Sequence, residues 1–190
     1  MFATEILRKE HDAILKMLDA TDEVRQRLIR GEVVPSSTLD GLLEFFRLFA
    51  DRCHHGKEED LLFPLLEKKG MARDCGPIGV MLHEHDRGRE LVREMELASS
   101  PAQDIAGPSG RRWAQAAAQY TNLLREHIEK ENNVLFQMAE NLLTPEEQER
   151  LAREFERIEF EKMGAGTHER LHARMEQLLR EITKSRAAIE

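Results

Sequence analysis

The chain is poor in what builds sheets and tight turns. Its 190 residues include 11 glycines and 6 prolines, and aromatics make up 5%. That scarcity argues against sandwiches and barrels, whose many short strands need turn residues and β-favouring aromatics. Two cysteines, Cys53 and Cys75, make neither a disulfide framework nor a CxxC motif, and a reducing compartment is expected. No apolar run approaches the roughly 18 residues of a membrane span. The opening stretch MFATEILRKEHD is charged within a few residues and has no apolar signal-peptide core, so a cytoplasmic protein is expected. An excess of positive charge is also missing. Lys and Arg total 28 against 36 Asp and Glu, a net charge of −8, which disfavours nucleic acid and anionic membranes as partners.

What is present is helical. Charged residues reach 34% and the apolar set 41%. Ile6, Leu7, Ile14, Leu15, Met17, Leu18, Val24 and Leu28 recur at helical spacing and predict a first helix over Thr4 to Arg30. After the turn VVPSS, a second helix is expected from an N-cap at Ser37 to Lys69, with Pro64 bending its last turns. A third covers Pro77 to Ala98. SSPAQDIAGPSG is a loop, and a fourth helix runs from Gly110 to Leu143. Thr144, Pro145 and Glu147 form a helix-start signature for a fifth helix to Met163, and a sixth covers Thr167 to Ala188. Four long helices with short connections predict an all-α, up-down-up-down four-helix bundle over residues 1–143. Residues 144–190 add two C-terminal helices that pack on it.

Each of the four long helices carries histidine. The first has His11, and the second has His54, His55, Glu58 and Glu59. The third has His83 and His85, and the fourth has His127 and Glu131. His54/Glu58 and His127/Glu131 are i,i+4 pairs, so each pair shares a helix face. His55/Glu59 has the same spacing, so spacing does not choose the register. At 1.5 Å rise per residue, in an antiparallel arrangement, these positions fall in one band roughly 10–24 Å from one end. They also lie on apolar faces: Leu7, Ile14, Leu15 and Leu18 flank His11, and Tyr120, Leu123, Leu124 and Val134 flank His127. His54 has Ala50, Leu61 and Leu65 as face neighbours. A carboxylate facing a core is costly unless paired or metal-bound. Imidazole with carboxylate and no thiolate suits iron, manganese or zinc. Seven candidates, His11, His54, His55, Glu58, His85, His127 and Glu131, exceed the four of a structural zinc and point to two metals bridged by carboxylate.

The order His, His-xxx-Glu, His, His-xxx-Glu on successive helices resembles the hemerythrin-like, or HHE cation-binding, family. The strings EHD, HHGKEEDLLFP, HEHDRGR and REHIEKENNVLF carry the resemblance, which covers about residues 4 to 143. It implies an oxo- or hydroxo-bridged non-haem di-iron centre that binds O₂, NO or peroxide. His11, His54, Glu58, His85, His127 and Glu131 match the pattern, with Glu58 and Glu131 as bridges. The O₂-carrying members have His-xxx-His on the third helix, whereas Met81 stands four residues before His85 here. His55, from the flank of the second helix, is the favoured substitute, and His83 the other. The departure opens sensing, peroxide chemistry and iron handling beside O₂ binding. The expected protein is a monomer or homodimer acting in oxygen, redox or iron sensing or storage. A peroxidase- or catalase-like or NO-handling enzyme and a redox-silent structural metal bundle are the alternatives.

Other polar residues have plainer readings. Lys57, Glu59 and Asp60 are expected on a solvated helix face, His83 at the surface and Cys53 as a small buried bystander. His168 and His172, one turn apart, are expected on a polar face, and Trp113 and Tyr120 in the core.

Overall fold

A computed structural model describes residues 1–99, 105–164 and 166–187. All its regular structure, among the described residues, is helical. The first rod is α1 (Ala3–Ile29). The second opens as α2 (Ser36–Phe45), passes through π-helical stretches at Phe46–His55 and Glu58–Leu62, and closes as α3 (Phe63–Lys68). The third rod is α4 (Gly76–Ala98). The fourth is α5 (Gly107–Lys130), a π-helical stretch at Glu131–Leu135, and α6 (Phe136–Leu142). Two further helices follow, α7 (Pro145–Met163) and α8 (Thr167–Ala187).

Two helix starts differ from expectation by more than one residue. α2 starts two residues early, with Pro35 rather than Ser37 at its N-cap. α5 starts at Gly107 rather than Gly110, because Pro108 in the first turn lacks only an N–H that would find no helical partner there. The start of α7 is as expected. Thr144 Oγ1 accepts from the Glu147 amide (3.3 Å), and Glu147 Oε2 accepts from the Thr144 amide (3.0 Å). Residues 100–104 of the expected long loop lie outside the described residues. Just beyond them Ile105 exchanges both backbone hydrogen bonds with Val34 at 3.2 Å, tying two inter-helix connections together.

α4 packs along α5, α5 along α1, and α4 also against the first π stretch. The buried apolar residues form two clusters. One holds Ile14, Val24, Phe46, Phe49, Leu91, Trp113 and Leu124, and the other Leu7, Phe63, Met81, Leu135 and Phe136. On every rod a polar stretch separates the two. His11 lies between Leu7 and Ile14, and His54 to Glu58 between Ala50 and Leu62. His85 lies between Met81 and Leu91, and Glu131 between Ile128 and Leu135. The helices therefore bury two apolar layers with one titratable layer between them. The C-terminal helices divide the same way: Leu151 and Phe155 of α7 join the second cluster, and Leu171, Met175 and Leu178 of α8 join the first. α8 approaches α2 closely at Gly41, where a Cβ would lie 3.2 Å from Leu178 Cδ2.

Candidate metal centre

The π stretches set what faces inward. A π turn closes its hydrogen bonds at i→i+5, and single π turns often mark functional sites. His54 and His55 are adjacent in sequence, yet both are buried, so His55 is not confined to the flank. Of the face neighbours expected for His54, Leu61 and Leu65 are half-buried, while Leu62 and Leu66 beside them are fully buried. Beyond Glu131, Leu135 is buried and Val134, expected on the face of His127, is 47% exposed. Straight α-periodicity from His127 does not show that shift. The second π stretch ends just before Pro64, which has no N–H to continue an i→i+4 ladder.

All seven predicted site residues come together. His55, Glu58, His85 and His127 form one group, and His11, His54, Glu58 and Glu131 a second; within each, one possible ligand atom per residue lies within 4.8 Å of the others. Glu58 belongs to both. Its Oε1 is 3.7 Å from His54 Nε2 and its Oε2 3.5 Å from His85 Nε2. Glu131 Oε2 lies 3.1 Å from His11 Nε2 and 3.3 Å from His127 Nε2. His55 stacks on His85 with ring centroids 3.8 Å apart. Met81 is buried in the second apolar cluster, and His83 is exposed and joins neither group.

The outer nitrogens of His11, His54, His85 and His127 are hydrogen-bonded, and that of His55 is buried without a hydrogen-bond partner. His54 Nδ1 donates to Glu10 Oε2 (2.9 Å) and His85 Nδ1 to Glu59 Oε1 (2.6 Å). His127 Nδ1 donates to Glu84 Oε2 (3.0 Å) and His11 Nδ1 to Asn132 Oδ1 (2.9 Å). His55 Nδ1 is 3.5 Å from Asp51 Oδ1. Each acceptor is an oxygen, so Nδ1 keeps its proton and the Nε2 lone pair points inward. The inward atoms then meet head-on: His11 Nε2 is 2.9 Å from His54 Nε2, and His85 Nε2 is 3.2 Å from His127 Nε2. Two lone pairs at such distances repel unless a proton or a metal cation lies between them.

The carboxylates make the same demand. Glu58 and Glu131 are 0% exposed, and none of their four oxygens accepts a hydrogen bond of proper geometry. Burial, and then the neighbouring Glu131, push the Glu58 carboxyl well above its usual range. Burial opposes ionisation of Glu131 too, but His127 and His11 hold it well below that range. Burial lowers His54 to about 4 and also lowers His55 and His85. For His127 burial is outweighed by Glu131 and Glu84, which raise it to about 9. A cation among these groups would meet inward-facing Nε2 atoms and two buried carboxylates, and would displace the proton that Glu131 and Glu84 favour on His127. The donor set, nitrogen-rich with carboxylate and no thiolate, fits iron, manganese or zinc.

The acceptors were not foreseen. Glu10, Glu59, Glu84 and Asn132 each sit next in sequence to a site residue, yet each orients a histidine on another rod. Glu10 serves His54, Glu59 serves His85, Glu84 serves His127 and Asn132 serves His11, a closed ring around the layer. Basic groups back the ring: Lys57 on Glu10, Arg89 on Glu59 (2.6 Å), Lys130 on Glu84 and Arg8 on the Asn132 carbonyl (3.1 Å). Lys57 and Glu59 are thus not on a solvated face. Lys57 is 2% exposed, held by Glu10 and by Glu159 of α7 (2.7 Å), while Asp60 is exposed as expected. The recurring Glu-His dipeptides were the visible signal for Glu10 and Glu84. Cys53, buried, places its thiol 3.7 Å from Glu159. Trp113 and Tyr120 are core residues. The His172 ring lies 5.3 Å from that of Phe49. The His168 side chain lies outside the described residues. No described helix is long and apolar enough to cross a membrane.

Comparison with known proteins agrees with this chemistry. The family model described as hemerythrin HHE cation binding domain matches residues 3–139. An uncharacterised protein of Mycobacterium bovis is 28% identical over 162 residues, 85% of this chain and 63% of that protein. A protein of Musicola paradisiaca named iron-sulfur cluster repair protein YtfE is 32% identical over 140 residues, 70% of this chain and 62% of its own. One of the same name from Salmonella paratyphi B is 40% identical over 95 residues, 45% of this chain and 40% of its own. The chain thus spans less than two thirds of the length of these relatives. No solved structure matches. The chain belongs to the hemerythrin HHE cation-binding domain family.

Proposed function

We propose that this chain is a non-haem di-iron protein that binds O₂ or a related small ligand, NO or peroxide, in oxygen, redox or iron sensing or storage. The four rods act as an up-down-up-down bundle over residues 1–143, and residues 144–190 are an extension covering both apolar layers. His55, His85 and His127 would hold one iron, His11 and His54 the other, with Glu58 and Glu131 shared. The observation that carries the reading is the pair of head-on Nε2 contacts, 2.9 and 3.2 Å, beside two buried carboxylates without hydrogen-bond partners. The bound irons would supply reversible one-electron chemistry toward a small ligand. The chain's own residues fix the imidazole tautomers, keep bulk water out with the two apolar layers, and hold compensating charge in the Lys57, Lys130 and Arg89 ring.

A second reading rests on the relatives named for iron-sulfur cluster repair: the same centre would then handle iron for such clusters. Optical spectroscopy on protein from iron-replete cells separates the cases. Ligand binding predicts visible bands when oxidised and a reversible spectral change with O₂ or NO. Iron handling predicts loss of those bands to an acceptor apo-protein, and an enzyme predicts turnover of peroxide or NO beyond stoichiometry. A colourless, iron-free chain that takes up no Fe(II) contradicts them all.

A further inference from the structure

The orienting hydrogen bonds around the layer are not backed alike. Behind Glu59 stands Arg89, which also holds Asp51 of the second rod (2.8 Å). Behind Asn132 stands Arg8, which also holds Glu140 of the fourth rod. Behind Glu84 stands Lys130, on the same rod as the His127 that Glu84 orients. Among the described residues, each of these arms begins and ends within the four rods. The His54 arm leaves them. Glu10 of α1 accepts from His54 Nδ1 (2.9 Å) with one oxygen and from Lys57 Nζ with the other. Lys57 Nζ then donates to Glu159 Oε2 of α7 (2.7 Å).

The sequence of α7 delivers that carboxylate. Gln148, Leu151, Ala152 and Phe155 bury one face of the helix, at the three- and four-residue spacing of an amphipathic stripe. Glu159 continues the face one turn beyond Phe155, and α7 packs on α1 and on both π stretches of the second rod. Cys53, one turn before Lys57, places its thiol 3.7 Å from the same Glu159 oxygen. Lys57 and Glu10 are buried, so neither turns to water for a replacement partner. Glu159 is 23% exposed and lines a cleft between α1 and α7.

The Lys57 ammonium is thus shared between a carboxylate of α1 and one of α7. While Glu159 takes part of its charge, Glu10 remains a strong acceptor for the His54 Nδ1 proton. A strong acceptor there raises the basicity of Nε2, the atom that faces the layer. Without Glu159 the whole cation would bear on Glu10, and the acceptor would weaken where little water screens the change.

We propose that Glu159 is a positioning residue for the metal centre: through Lys57 and Glu10 it tunes the half held by His11 and His54, while the half held by His55, His85 and His127 is tuned from within the four rods. The proposal rests on the di-iron reading above. It gives the C-terminal extension a role beyond covering apolar layers, since α7 supplies the last charge of the arm.

Reduction potentials of the iron-loaded full chain test this, with iron content measured first. Glu159→Gln keeps the shape and removes the charge. It should favour Fe(II) over Fe(III) in one of the two one-electron steps by about three- to tenfold, a rise of about 30–60 mV at 59 mV per tenfold. Glu159→Asp keeps the charge and should recover most of the shift. Glu156→Gln removes the same charge from the same helix and cleft, but Glu156 makes no ion pair with Lys57 among the described residues, and the potential should stay near that of wild type. A wild-type chain that holds no iron overturns the di-iron reading and this inference with it. Two bound irons with an unchanged potential in Glu159→Gln overturn this inference alone, as does an equal rise in Glu156→Gln. Should Glu159→Gln hold fewer than two irons, full content in both Glu159→Asp and Glu156→Gln supports the arm, and a shortfall in either overturns it.

Discussion

Glu84 precedes His85 in sequence but accepts its hydrogen bond from His127, on a different helix, with 3.0 Å between Nδ1 and Oε2. The same displacement recurs at Glu10, Glu59 and Asn132, so each rod orients the imidazole of the next. Of the five histidines of the layer, only His55, whose nearest carboxylate is Asp51 on its own rod, is not oriented by a neighbouring helix. The ring fixes which nitrogen keeps the proton, and the inward lone pairs follow from that.

Removing one acceptor should loosen the site without abolishing the fold. Glu84→Ala frees the His127 ring to rotate and to change tautomer. Metal affinity should fall about 10–100-fold, as for other carboxylates that orient a ligating histidine. Glu84→Gln keeps an oxygen acceptor and should lose less. Competition with a chelator measures both; equal affinities for wild type and Glu84→Ala would show that the ring is not needed.

His55 and His83 should behave differently. His55→Gln should lower metal content from two ions to about one per chain, because it removes an inward group of one half-site only. His83→Gln, an exposed change, should leave the content unaltered. Elemental analysis decides, and the reverse pattern would reassign the position left by Met81.

Lys57 is buried between Glu10 and Glu159. Lys57→Met leaves Glu10 buried without its cation and should cost about 3–5 kcal/mol. Adding Glu10→Gln should recover part of that loss. Urea unfolding of the two variants provides the check, and a loss below about 1 kcal/mol for Lys57→Met alone would contradict the pairing.

The metal-free chain should be pH-sensitive on the alkaline side. His127, raised to about 9, contributes stability that is complete below pH 6.5 and is lost as the pH rises to 9. The loss should be on the order of 2–3 kcal/mol. His54, lowered to about 4, acts in the opposite direction: stability falls as the pH drops from 6.5 toward 4. Urea unfolding of chelator-treated protein should therefore show a maximum near pH 6.5. Stability that rises between pH 6.5 and 9 would contradict the assignment.

The two thiols should react at very different rates. Cys75 is exposed, whereas Cys53 is buried and its thiol is pushed up to about 12, first by burial. A thiol reagent at pH 8 should modify Cys75 rapidly and Cys53 only on unfolding. Peptide mapping after a short exposure tests this.

The helices and the pairs His54/Glu58 and His127/Glu131 were legible because both follow from period, 3.6 for the apolar stripes and four for the pairs, and His11 and His85 from their level along the rods. What escaped were departures from that period. The π stretch at Glu131–Leu135 puts Leu135 rather than Val134 inside, and the one at Phe46–His55 brings His55 fully inside, a hydrogen-bonding choice of the backbone that leaves no mark in composition. The roles of Lys57 and Glu59 escaped for another reason. On their own helix they read as solvated charges; their partners, Glu10, Glu159, His85 and Arg89, lie on other helices. Only the packing of rod against rod reveals them.

The head-on Nε2 pairs and the buried carboxylates Glu58 and Glu131 should together take up two irons. Anaerobic titration of the chelator-treated chain with Fe(II), followed by separation of bound from free metal, tests it most directly. Saturation at two irons per chain is expected, with that uptake lost in the His127→Ala, Glu131→Ala double variant and helical content retained. Saturation at one iron or none in the wild type, or full uptake by the double variant, would contradict it.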